Sequence, residues 1–172
     1  MRVLIVSVYP PDPAPEANHA LHISELLAES GLDVHVLCGR GSISATRRDI
    51  VVHPVMDDWT WSSLPKLTQC LRTSRPDVVF LLYLGWIYRF QPMITFLPTI
   101  CKTVLPNVPC VTQFEAIDIS PRRHSVGSQG LRIAMELWAG RKNVHRSYGT
   151  LLRDSASIIA LSSPHRARLV HE

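Results

Sequence analysis

Val3-Leu4-Ile5-Val6-Ser7-Val8 is a continuous apolar run. A proline-rich turn follows it, then the stripe Ala20, Leu21, Ile23, Leu26 and Leu27 within Asn18–Ser30, then Val34-His35-Val36-Leu37. A strand with no polar alternation is buried on both faces, and helical spacing between two such strands describes a βαβ unit. Gly31 stands where a helix C′ residue belongs. Working outward, further apolar runs occur at Ile50–Val55, Asp77–Leu84, Pro109–Gln113 and Ser157–Leu161. Val51-Val52-His53-Pro54 breaks the apolar pattern and reads as an edge strand. Between the runs lie a helix through Leu64, Leu67 and Leu71, a third over Arg89–Val104 interrupted by Pro92 and Pro98, and a long fourth over Leu131–Leu152. On this last segment Ile133, Leu137 and Trp138 share a face. The expectation is one doubly wound, Rossmann-like α/β/α domain over residues 1–172. Its mostly parallel sheet would hold about six strands in the order 3-2-1-4-5-6.

Composition sets the outer limits. The chain has 172 residues, 46% apolar and 19% charged, which excludes disorder as a class. At this size roughly 70% of the unfolded surface is buried on folding, so neither a disulfide nor a metal is needed as a staple. No apolar run reaches the ~20 residues of a membrane span. The four cysteines, Cys38, Cys70, Cys101 and Cys110, form no CxxC pair and sit among apolar neighbours. They read as buried free thiols of a reducing compartment. Eighteen basic against fourteen acidic residues give a formal charge of +4. That suits an anionic ligand or membrane surface, and equally a simple solubility bias.

Ligands of an open parallel sheet bind outside the carboxyl ends of its strands. Here those ends are Tyr9–Ala17, Cys38–Ser44, Tyr83–Trp86, Phe114–Ser120 and Ser162–Ser163. The first loop holds four prolines and is stiff, which aims the following helix N-terminus at the crevice. No GxGxxG or GxxxxGK[ST] motif is present, which argues against a dinucleotide or P-loop site. Glu115 and Asp118 follow the fifth strand; two carboxylates there serve either as a general base and sugar-hydroxyl ligands or as loop solvation and turn caps. His19 and His22 have metal-compatible spacing but no third ligand nearby, so no metal is expected. Arg122 and Arg123 head a basic tract that suits phosphate or anionic lipid, with a solvated helix face as the plain alternative. The crowded segment Trp86, Tyr88, Phe90, Met93, Ile94, Phe96 and Leu97 reads mainly as core, with a partly exposed acceptor or membrane surface as the alternative. Ser163 is the expected N-cap of a last helix, with Pro164 at its first position.

Several stretches together resemble one family. Arg2–Asp12, Glu16-Ala17-Asn18 and Ser24–Leu37 resemble the opening of the family-4-like retaining glycosyltransferases of GT-B fold. Arg75-Pro76-Asp77-Val78-Val79 is similar to their fourth strand, Pro109–Glu115 to their fifth, and Asp154–Ser162 to their sixth with its closing serine. The resemblance implies an N-terminal, acceptor-side domain whose donor domain, with its paired glutamates, is absent from these residues. It implies transfer of a sugar from a nucleotide-sugar to a lipid, glycan or small-molecule acceptor, with retention and no further cofactor. Tyr9, Pro11, Ala14, Glu16, Asn18 and Ser162 would then line the acceptor and donor cleft. Two departures stand out. Ala14 and Pro15 occupy the place of two glycines that approach the donor phosphate, and Phe114-Glu115 occupies the place of a histidine. Glu115 or Asp118 is left as the candidate for that histidine's role.

These readings carry further expectations. The isolated domain would be inactive, and its cleft face, with Tyr9, Pro11, Trp86, Phe114 and Ile117 exposed, would drive self-association. Nucleic acid is not an expected partner. The location would be cytoplasmic or peripheral at the inner face of the membrane. Two other functions compete: a non-catalytic half-enzyme that pairs with a separate donor-domain protein, and an unrelated Rossmann-like small-molecule binder.

Overall fold

The computed structural model describes residues 1–42, 49–116, 133–134, 137–140, 144–145 and 147–171. Six strands form one sheet: β1 (Arg2–Val6), β2 (Asp33–Gly39), β3 (Ile50–Met56), β4 (Val78–Tyr83), β5 (Cys110–Phe114) and β6 (Ser157–Ala160). The order is β3-β2-β1-β4-β5-β6 and every pairing is parallel, as the alternating pattern predicts. The fold is a three-layer, Rossmann-like α/β arrangement. The strand order reverses between β1 and β4, which places a crevice at their carboxyl ends.

Adjacent side chains of β1 feed two cores, the direct result of the two-residue strand period. Val3 and Ile5 pack with Val34, Val36 and Ala20 on one face. Leu4 and Val6 pack with Leu67, Leu71, Phe96 and Ile100 on the other. The first face is covered by α1 (Pro15–Glu29), and the second by α2 (Leu64–Ser74) and α3 (Leu97–Val104). The buried residues of α1 are Ala17, Ala20, Ser24 and Ala28. This stripe is smaller than the expected leucine stripe, and Leu26 is exposed. Small side chains let the helix backbone lie close to the sheet. Gly31, at φ +81°, ends α1 as expected, and the Leu32 N–H donates to the Leu27 carbonyl at 3.1 Å.

Two helices differ from the sequence expectation. Arg89–Val104 is not one interrupted helix. Two 3₁₀ turns, Gly85–Tyr88 and Pro92–Phe96, precede α3, and Arg89 and Phe90 between them are left-handed at φ +51° and +55°. Pro92 and Pro98 sit in the first turns of their segments, where a missing N–H costs nothing. The long fourth helix is also broken. Helical residues occur at Ile133–Ala134 and Leu137–Trp138, but Gly140 is left-handed at φ +78° and His145 bridges Gly149 in a tight reversal. A short helix α4 (Leu151–Asp154) follows. At Gly149, φ is +53°, and a Cβ would stand 2.5 Å from the Thr95 hydroxyl, so only glycine fits. Thr150 then donates its N–H to the Thr95 carbonyl, and Asp154 accepts from the Thr99 hydroxyl, Lys102 and Arg153. Burial pushes the Asp154 carboxyl up, but those donors outweigh it and hold it below its ordinary value.

The last helix, α5, spans Ser163–His171. Its cap is Ser162 rather than Ser163: the Ser162 Oγ accepts the His165 N–H at 3.3 Å. All four cysteines are free and buried, and burial raises the Cys38 and Cys70 thiols to about 11. They are packing groups rather than nucleophiles. Among the described residues no helix is long and apolar enough to cross a membrane.

Candidate functional site

Two polar groupings lie at the carboxyl edge. The first is a cleft of about 290 Å³ beyond the ends of β1, β2 and β3, closed on one side by the segment after β4. Tyr9 and Pro11 line it, as do Arg40, Asp57, Asp58 and Arg89. The apolar residues behind it (Val8, Tyr9, Met56, Trp59 and Ile87) are each at most 8% exposed, so the cleft presents polar atoms. This corrects the expectation of an apolar cleft face. Tyr9 is 2% exposed and Phe114 is fully buried, because the Tyr9 hydroxyl bonds Ser24 Oγ at 2.9 Å and Phe114 packs edge-on against Tyr83 and Tyr148. Of that set Pro11 and Trp86 are exposed, and Ile117 lies outside the described residues.

The cleft is held by its own polymer. Tyr88 is buried at the sheet's reversal point, where its hydroxyl lies 3.0 Å from the Val6 carbonyl of β1 and 2.8 Å from the Leu82 carbonyl of β4, placed to donate to both. Burial drives its phenol far above the ordinary value, so it remains a donor. The Tyr9 carbonyl accepts from Asp12 N–H and Ser42 Oγ, both at 3.2 Å. Asp57 is occupied by Arg40 at 2.6 Å and by Lys66. Asp58 Oδ1 accepts three bonds, from Thr60 N–H at 3.0 Å and from the Thr60 and Ser63 hydroxyls at 2.7 Å. Those bonds lower the Asp58 carboxyl below its usual range.

The second grouping lies at the end of β5. Glu115 donates its backbone N–H to the Tyr83 carbonyl at 3.0 Å, and its Oε1 accepts from Gln113 Nε2 at 2.7 Å. His19, on the second turn of α1, brings Nε2 to 3.3 Å from Gln113 Nε2 and 3.5 Å from Glu115 Oε1. The Glu115 side chain is 11% exposed and that of His19 is 41%. Nε2 of the imidazole therefore stands beside one donor, Gln113 Nε2, and one acceptor, Glu115 Oε1.

The remaining candidates stand apart. Ala14 is a buried residue just before α1 whose N–H donates to Asp12 Oδ1 at 2.9 Å. Glu16 lies in the first turn of α1 with Oε2 buried and unpartnered, and Asn18 is exposed further along. None of the three lines the cleft. Ser162 caps α5. Asp118, Arg122 and Arg123 lie outside the described residues. Among the described residues no group of three or more His, Cys, Asp or Glu side chains is placed to hold a metal.

Sequence reading missed Asp57, Asp58, Arg89, His19 and Gln113. Asp57 and Asp58 end the third strand, whose carboxyl end could have been added to the others. Arg89 opens a segment whose sequence reads as helix. His19 was half of an apparent surface pair, and nothing local announces a partner 96 positions away.

No family model matches the sequence, and no curated protein is similar to it by sequence. Among solved structures the chain is similar to WbmH, an enzyme of Bordetella bronchiseptica solved with NAD+. That match has a TM-score of 0.46 and 12% identity, over 81% of this chain and 52% of WbmH. It is also similar to an alpha-glucosyltransferase solved with UDP and a DNA carrying an HMU base. Here the TM-score is 0.47 and the identity 11%, over 93% of this chain and 37% of the other. The chain thus spans about half and about a third of these proteins' lengths.

Proposed function

We propose that residues 1–172 are the acceptor-side domain of a glycosyltransferase that moves a sugar from a nucleotide-sugar to an acceptor hydroxyl, with retention. The observation that carries this reading is the His19–Gln113–Glu115 grouping at the carboxyl edge, beside the sheet's reversal point. A half-buried imidazole oriented by a carboxylate is a general acid–base arrangement. It lies in the region where the sequence resemblance implies a histidine, with the ring supplied from α1 instead. In the reaction the acceptor oxygen bonds the anomeric carbon on the same face from which the diphosphate departs, as the sugar–phosphate bond breaks, which keeps the configuration. His19 takes the hydroxyl proton, and Glu115 faces the resulting imidazolium. Groups that stabilise the departing diphosphate belong to a second domain outside these residues, so the isolated domain is inactive. Asp118, Arg122 and Arg123 complete the proposal, the first as a further carboxylate and the arginines as contacts for phosphate or anionic lipid.

The test is transfer by the whole gene product that carries residues 1–172, with a panel of UDP- and GDP-sugars. Transfer that survives His19→Gln and Glu115→Gln unchanged sinks the acid–base role. Turnover by purified residues 1–172 alone sinks the two-domain reading. The polar character of the cleft favours a second reading, a self-contained Rossmann-like binder of a small polar molecule. Failure of every nucleotide-sugar, together with tight binding of a ligand by the domain alone, would select it.

A further inference from the structure

The cleft beyond β1–β3 contains two charged groups with unused valence. Asp58 Oδ1 is saturated by Thr60 and Ser63, yet Oδ2 takes no hydrogen bond among the described residues. Arg89 has no salt-bridge or side-chain hydrogen-bond partner there, although it is near enough to help lower Asp58. Its backbone is left-handed, and so is that of Phe90, whose ring stands where a Cβ on Gly85 would be, 2.9 Å away. Two consecutive left-handed, non-glycine residues are costly and persist where surrounding packing imposes them. Here Tyr88, anchored to both central strands, fixes the turn that presents Arg89.

We propose that this cleft binds a neutral polyhydroxyl group, a sugar ring, with Asp58 Oδ2 accepting from a ligand hydroxyl and Arg89 donating to another oxygen. Several observations select that chemistry. An anion would face Asp12, Asp57 and Asp58 together with Arg40 and Arg89, so that among the described residues the lining has no surplus of positive charge. A lipid tail would find little apolar wall among the described residues, since the large apolar residues behind the cleft are buried and only Pro11 is an exposed apolar lining residue. A hydroxyl both donates and accepts, so it suits an ionised carboxylate and a guanidinium side by side. The volume, about 290 Å³, is at the small end of ligand pockets and fits one ring rather than a chain of them. The inference rests on the reading of this edge as the acceptor side, and it makes the acceptor a saccharide.

Saccharide binding is measured directly on residues 1–172, without donor, by titrating glucose, galactose, mannose and N-acetylglucosamine and following backbone amide shifts. The expected result is saturation by at least one sugar at millimolar concentration, with shifts at Gly41, Ser42, Asp58 and Arg89. Asp58→Asn and Arg89→Ala should each weaken it at least tenfold. The Arg89 side chain makes no hydrogen bond or ion pair among the described residues, so its variant remains informative if Asp58→Asn fails to fold. No saturation by any sugar, binding indifferent to Arg89→Ala, or saturation by inorganic phosphate in place of sugar would each overturn the proposal. Sugar binding without transfer by the whole gene product keeps this inference and removes the glycosyltransferase reading. Transfer to a sugar-free acceptor does the reverse.

Discussion

The cleft beyond β1–β3 and the grouping at the end of β5 lie at the same edge of the same sheet, but they are built in opposite ways. In the cleft, Asp58 is pinned from behind by Thr60 and Ser63 and keeps one oxygen without a hydrogen bond among the described residues, where the Arg89 side chain likewise has no ion-pair or hydrogen-bond partner. At β5, Gln113 and Glu115 are bonded to each other and His19 touches both. A rigid group with a free valence suits ligand recognition. A ring nitrogen that stands beside both a donor and an acceptor suits proton transfer. On the proposed reading, binding falls to one side of the β1–β4 junction and chemistry to the other.

That division is broken most sharply by Glu115→Gln. In the whole gene product it should reduce turnover by about 10²–10⁴-fold, because an uncharged amide no longer faces the imidazolium that forms on His19. Saccharide affinity should be unchanged. If affinity and turnover fall together under amide-shift titration and a transfer assay, the two regions are one site.

Next in size is Gly149→Ala, which leaves both regions untouched but loosens the Thr95–Thr150 contact behind β5. Left-handed strain and overpacking together should cost about 2–4 kcal/mol in urea unfolding. Tyr88→Phe removes the hydroxyl that ties β1 to β4 between the two regions. Its expected cost is about 1–2 kcal/mol, and it should weaken saccharide binding while sparing the His19–Glu115 geometry. Arg89→Gly works in the other direction. It relieves a left-handed residue and should raise stability by about 1 kcal/mol in the same unfolding series, yet abolish saccharide binding. A loss of both stability and binding would mean that Arg89 is a structural residue.

The smallest effect expected is a pH dependence outside both regions. His35 Nδ1 and His53 Nε2 are 2.8 Å apart across β2 and β3, with Asp33 and Arg2 beside them. Burial lowers both imidazoles, opposed at His35 by Asp33 and reinforced at His53 by His35 and Arg2. The unfolded chain therefore binds protons that the folded chain refuses. Stability from this pair is full above about pH 6.5 and declines as pH falls below it. His53→Gln should flatten that decline. Asp58, also lowered, contributes only further down, below about pH 3.9, so thermal melts at pH 7, 6 and 5 separate the pair from the cleft.

The sheet was legible in the sequence to within a residue or two: the inner strands β1, β2, β4 and β5 are largely buried and read as near-continuous apolar runs, while the edge strands β3 and β6 are more exposed. Strand order followed from right-handed crossovers, and the edge position of β3 from His53-Pro54. The stop at Gly31 and the burial of the four cysteines were equally local facts. Glu115 was visible because it directly follows a strand end. What only tertiary structure decided was which polar atoms meet. His19 reaches Glu115 across 96 positions, and Asp58 and Arg89 line one cleft from two different crossovers. The breaks at Arg89-Phe90 and at Gly149 were decided the same way, by Tyr88 and Thr95 packing against them. Period and propensity act over a few residues, whereas a site is made by side chains that the sheet order brings together, and no spacing along the chain encodes that distance.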